Sequence, residues 1–147
     1  MSHFLALVLV DPADPNPIDR AQQLMTPFWA RDPFDEETGQ ESPNVKCDGF
    51  TVGGRYDGVI WGQEPEYSLS PDAFQRRYGF DVVRPENNMR PASQVVLDPY
   101  TLPHAVVTPD GRWLSSEGKP IRAWRDELVS LLDEHGDRLA VAIDCHF

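Results

Sequence analysis

His3-Phe-Leu-Ala-Leu-Val-Leu-Val10 and Leu139-Ala-Val-Ala-Ile-Asp-Cys-His146 are the two stretches that decide the fold. They match in length, are mostly apolar and contain no Pro, as central strands require. Asp11-Pro12 closes the first. Antiparallel pairing with His3 opposite His146 sets Leu5 against Asp144, Leu7 against Ala142 and Leu9 against Ala140 on one face. Phe4/Cys145, Ala6/Ile143, Val8/Val141 and Val10/Leu139 then share the other face. Side chains alternate with a period of two, so a one-residue slip would exchange the faces. The Leu5, Leu7, Leu9 face is too apolar to leave in water. The expected cover is the 59–115 region of the same chain, or else a second copy. The helices are expected on the opposite face.

Those helices are read from apolar residues at helical spacing. Ile18, Ala21, Leu24, Met25, Phe28 and Trp29 mark one within Pro17–Ala30, with Asn16 as its cap and Pro27 ending or kinking it. Ile121, Trp124, Leu128, Leu131 and Leu132 mark the other, over 120–135, and Gly136 stops it. Between them, Val95–Leu97 reads as a short strand and His104–Thr108 as a firmer one. Thr108-Pro109-Asp110-Gly111 is a turn into a returning strand, Arg112–Leu114. Ser70-Pro71-Asp72 starts a short helix through Arg77. The order predicts a single α+β domain over residues 1–147, an antiparallel sheet with two helices on one face. A ferredoxin-like split βαβ arrangement with an insertion is the closest pattern.

Composition narrows the function. A net charge of −11 over 147 residues opposes nonspecific binding to nucleic acid or anionic membranes. No apolar run is long enough to span a membrane. Phe4–Val10 lacks the preceding basic segment of a signal peptide. Two Cys with no CxxC or zinc spacing suit a reducing, cytoplasmic compartment, with one disulfide left open. Residues 31–48 are acid-rich and read as a solvated loop. Their acids lack the alternation of an EF-hand.

Residues 46–62, Lys-Cys-Asp-Gly-Phe-Thr-Val-Gly-Gly-Arg-Tyr-Asp-Gly-Val-Ile-Trp-Gly, hold five of the ten glycines. Asp48, Gly53, Gly54, Arg55, Tyr56 and Asp57 form the first candidate site. Glycines let successive amides cradle an anion, and Arg55 adds a planar fork of donors. The alternative is a bulged turn with Arg55 paired to Asp48 or Asp57. Neither a P-loop nor a dinucleotide fingerprint is present, so the cofactor is unknown. His3, Asp144 and His146 form the second candidate, because the pairing above brings two imidazoles and a carboxylate together. That set suits Zn²⁺ or Fe²⁺, a structural hydrogen-bond cluster, or plain exposure at fraying ends. Cys145 is a weaker candidate nucleophile, with His146 or His3 as base.

Four pieces in order resemble a family of small bacteriophage and bacterial proteins. They are the Met-Ser-His-Phe start, Asp48-Gly-Phe-Thr-Val-Gly-Gly-Arg-Tyr-Asp-Gly58, Ala105-Val-Val-Thr-Pro-Asp-Gly-Arg-Trp113 and Val141-Ala-Ile-Asp-Cys-His146. Cys47 and Tyr56 stand where that family usually has Trp. The resemblance implies a phage-type accessory protein of unknown function and supplies no mechanism. Three classes follow. The preferred one is a module binding a small anionic ligand or a host protein through the Gly-Gly-Arg turn. A small metal- or Cys-dependent enzyme is the second, although no complete catalytic set is present. An acidic mimic of nucleic acid is the third.

Overall fold

The computed structural model describes residues 3–29, 45–64 and 85–146. In chain order its elements are β1 (His3–Val10), α1 (Pro17–Met25), β2 (Gly49–Val52), β3 (Met89–Pro91), β4 (Ala105–Val107), β5 (Trp113–Ser115), α2 (Ile121–Glu134) and β6 (Leu139–His146). Tight 3-10 turns fill Thr26–Phe28, Gly54–Tyr56, Val59–Trp61, Pro85–Asn88 and Ala92–Gln94. The class is α+β. Among the described residues no helix is long and apolar enough to cross a membrane.

β1 and β6 pair antiparallel along their whole length, His3 opposite His146 and Val10 opposite Leu139. This is the register expected from the two apolar patterns. The sheet runs β2-β6-β1-β4-β5. β3 also pairs with β6, at Leu139–Val141, while β2 pairs with it at Ile143–His146. The Gly53 amide donates to the Ala142 carbonyl between them, at 2.9 Å. Two short strands and a turn therefore complete one edge of β6.

The sheet has a core on each side. Ala6, Val8, Val10, Val141, Ile143 and Cys145 pack under α1 through Ala21, Leu24 and Met25. Leu5, Leu7, Leu9, Ala140 and Ala142 pack under α2 through Trp124, Leu128 and Leu132. This corrects the expectation of both helices on one face. The leucine face needs a wider cover than the connection supplies, since Tyr56, Val59, Ile60 and Ala92 reach it from short turns. The α2 stripe provides the rest. The buried Trp124 is tolerated because its indole N–H donates to the Pro103 carbonyl at 2.7 Å. The cover is intrachain, but the 59–115 region expected to supply it does so only in part, through Val59, Ile60, Ala92 and Val106.

Three details of the sequence reading change. β1 pairs directly and in parallel with β4, so the sheet is mixed and not the antiparallel sheet expected. A split βαβ unit would place a strand between two such parallel strands, so the ferredoxin-like detail does not apply. Val95–Leu97 is not a strand, because Val95 and Leu97 pack onto the leucine face from irregular backbone. Met89–Pro91 is a strand instead, and its three residues with Arg90 and Pro91 carry no strand signature. Elsewhere the reading holds. Asn16 caps α1 by accepting from the Asp19 amide, and the helix gives way to a tighter turn at Thr26-Pro27. The β4–β5 hairpin closes through the Thr108–Gly111 turn. The Ser70–Arg77 helix and most of the acid-rich 31–48 segment lie outside the described residues.

Candidate functional site

At one end of the β1–β6 ladder, strand register places His3, Asp144 and His146 on a single face. The Asp144 side chain is nearly buried. His3 Nδ1 lies 2.7 Å from Asp144 Oδ1. The imidazole and the carboxylate thus share one hydrogen bond through Nδ1, which fixes the orientation of the His3 ring. The other oxygen, Oδ2, accepts the Arg55 backbone N–H at 3.0 Å. The two candidate constellations of the sequence are therefore one cluster, joined through Asp144.

That junction explains the glycines. Gly54 has φ of 52°, and a Cβ there would stand 2.7 Å from Asp144 Cβ and 3.0 Å from its Cγ. Any side chain would collide with the carboxylate it helps to hold. Gly49 leaves room for the His146 ring, whose Nε2 would lie 2.7 Å from an added Cβ. The two imidazoles sit with centroids 5.6 Å apart, tilted by 46°. Among the described residues His146 Nδ1 is buried and without a hydrogen-bond partner.

The anion held by the Gly-Gly-Arg turn is thus the chain's own Asp144. This corrects the reading of the turn as an open amide nest for an external anion. The alternative of Arg55 closing on Asp48 or Asp57 also fails, since among the described residues neither ion pair forms. The Arg55 side chain is exposed. Asp57 is buried and accepts from Asn88 Nδ2 at 2.7 Å, and Asn88 Oδ1 accepts the Gly58 amide at 3.3 Å. Asn88 is the residue that sequence reasoning missed. It lies in a polar run with no periodicity, so nothing marked it. Tyr56 belongs to the leucine-face core and Gly53 to the β6 edge. Asp48 is exposed, and its backbone carbonyl accepts the Trp29 indole N–H at 2.7 Å.

No three His, Cys, Asp or Glu side chains among the described residues converge as a metal ion requires. His3, Asp144 and His146 come together, but as a hydrogen-bonded pair with a neighbouring ring. Cys145 is buried on the α1 face, away from both imidazoles, which removes it as a nucleophile for this cluster. A surface cavity of about 430 Å³ lies on the α1 side, lined by Asp19, Gln22, Gln23, Thr26, Trp29 and Phe50. Its polar groups are largely engaged locally: Asp19 accepts from Asn16, Thr26 donates to the Gln22 carbonyl and Gln23 accepts from Arg20. The titratable chemistry is at the other site. Comparison of the chain with protein-family models, with curated proteins and with solved structures finds no match.

Proposed function

We propose that the protein is a phage-type accessory module that binds a small anion, or the anionic group of a host protein, at the His3–Asp144–Arg55 end of the sheet. The observation that carries this reading is the double clamp on Asp144. One oxygen orients His3 and the other fixes the turn from which Arg55 projects. The clamp spends the turn's amide internally. It leaves the exposed Arg55 guanidinium as the donor fork for an anion. In a chain of net charge −11 an exposed arginine gives an anion a local positive partner.

A thermal-shift series with phosphate, citrate and nucleoside phosphates tests this. Wild type should be stabilised by at least one of them and Arg55→Ala should not. Equal shifts in both proteins, or none in wild type, would reject the reading. The His3–Asp144 hydrogen bond favours one other reading, a small hydrolase with His3 Nε2 as general base toward water. It predicts turnover of an activated ester that His3→Gln abolishes. Absence of turnover in wild type would dispose of it.

A further inference from the structure

Two surface cavities adjoin on the α1 side of the sheet, and none of their lining residues belongs to the His3–Asp144–Arg55 cluster. The first, about 430 Å³, lies between α1 and the aromatic pair Trp29 and Phe50. The second, about 300 Å³, continues along β2 between Ile18, Thr51, Val52 and Pro85. Gln22 and Phe50 line both, so the two form one groove with a shared wall. Small-ligand sites span roughly 300–1,000 Å³, and both cavities reach that range.

We propose that this groove binds a neutral saccharide of at least two rings, one ring in each cavity.

The lining residues argue for that class. Among the described residues no Lys, Arg or His lines either cavity, so neither offers an anion a cation. Asp19 is the only carboxylate there, which supplies too few oxygens for a divalent metal. What remains is amide, hydroxyl and carboxylate groups beside aromatic rings. A sugar presents the matching surface, with hydroxyls that donate and accept and an apolar C–H face that packs on a ring.

The polar groups are held in place and keep capacity to spare. Asp19 Oδ2 accepts from the Asn16 amide, which leaves Oδ1 as an acceptor. Gln23 Oε1 accepts from Arg20, which leaves its amide N–H groups as donors. Thr26 Oγ1 donates to the Gln22 carbonyl and can still accept. The Gln22 amide, exposed on the shared wall, offers a donor and an acceptor to either cavity. The aromatic wall is fixed as well. The Trp29 indole N–H donates to the Asp48 carbonyl at 2.7 Å, and its ring stands at 82° to Phe50 with centroids 5.7 Å apart. Both residues are half-buried, so each keeps part of its ring open to a ligand. Side chains that are already ordered lose little freedom on binding, which suits a ligand held by several modest contacts.

Titration of the wild-type protein with glucose, galactose, mannose and N-acetylglucosamine, and with a disaccharide of each, tests the proposal. The readout is NMR of the Trp29 indole N–H and the Gln22 and Gln23 side-chain amides. At least one disaccharide should give saturable shifts there and bind more tightly than its monosaccharide. Trp29→Ala should weaken that binding about tenfold or more. Gln22→Ala, at an exposed position, should also weaken it and decides the matter if Trp29→Ala fails to fold. Arg55→Ala should bind the disaccharide as wild type does, which separates this groove from the anion site. No saturable shift at these residues with any saccharide, shifts given by adenosine or phosphate instead, a disaccharide no tighter than its monosaccharide, or unchanged binding in Gln22→Ala would overturn the proposal.

Discussion

Replacing Gly54 with Ala tests the junction between the turn and Asp144. Two costs add. Alanine at φ of 52° pays about 1–2 kcal/mol for the left-handed backbone, partly offset by its stiffer unfolded state. The new methyl would also stand 2.7 Å from Asp144 Cβ, closer than real contacts allow. Asp144 must then move, and its hydrogen bond from the Arg55 amide, at 3.0 Å, breaks. A lost hydrogen bond to a charged, nearly buried group costs about 1.5–3 kcal/mol. The total expected is roughly 3–4 kcal/mol. Gly118→Ala is the control, because Gly118 has φ of 72° and no neighbouring atom within 4 Å of an added Cβ. It should cost about 1 kcal/mol. Urea unfolding of both variants, repeated in an Asp144→Ala background, separates backbone strain from collision. In that background Gly54→Ala should fall toward the Gly118→Ala value. Equal costs for Gly54→Ala and Gly118→Ala in the wild-type background would refute the reasoning.

Asp144→Asn should destabilise by about 1.5–3 kcal/mol in urea unfolding, since an amide cannot accept from both His3 and the Arg55 backbone with both of its polar atoms. Leu7→Ala, in the centre of the sheet and fully buried, should cost about 2–5 kcal/mol, whereas Tyr100→Ala, which is 93% exposed, should stay within about 0.5. His104 is lowered from its ordinary pKa of 6.5, mainly by burial and against the Glu117 charge. The unfolded chain therefore binds the proton more readily, so this contribution is present above pH ~6.5 and is lost as pH falls from there toward the folded-state value. His104→Gln should flatten that limb of the stability-against-pH curve, and an unchanged limb would contradict the assignment.

The terminal strands were legible because eight-residue apolar runs of matching length permit few registers, and His3 opposite His146 is the one observed. The proximity of His3, Asp144 and His146 followed from that register alone. The α+β class followed as well. The placement of α2 did not, because periodicity says which stripe of a helix is apolar and not which side of a sheet it meets. Leu5, Leu7 and Leu9 bid for Trp124 and Leu128 more strongly than the smaller Ala6 and Val8 do. Gly53, Gly54 and Arg55 were recognisable as an anion-holding turn, but the identity of the anion depended on a contact between residues 89 positions apart. Asn88 was invisible for the same reason, since its partner Asp57 is 31 positions away.

The most direct test of the account is an NMR titration of the wild-type protein with phosphate and small carboxylates, following the His3 and His146 ring signals and the Arg55 side chain and amide. Saturable shifts in the rings and the Arg55 guanidinium, with the Arg55 amide staying bonded to Asp144 and the response absent in Arg55→Ala, are the predicted result. Saturable shifts confined to residues elsewhere, or a titration that leaves His3, His146 and Arg55 unmoved, would contradict the claim that this cluster is the binding site.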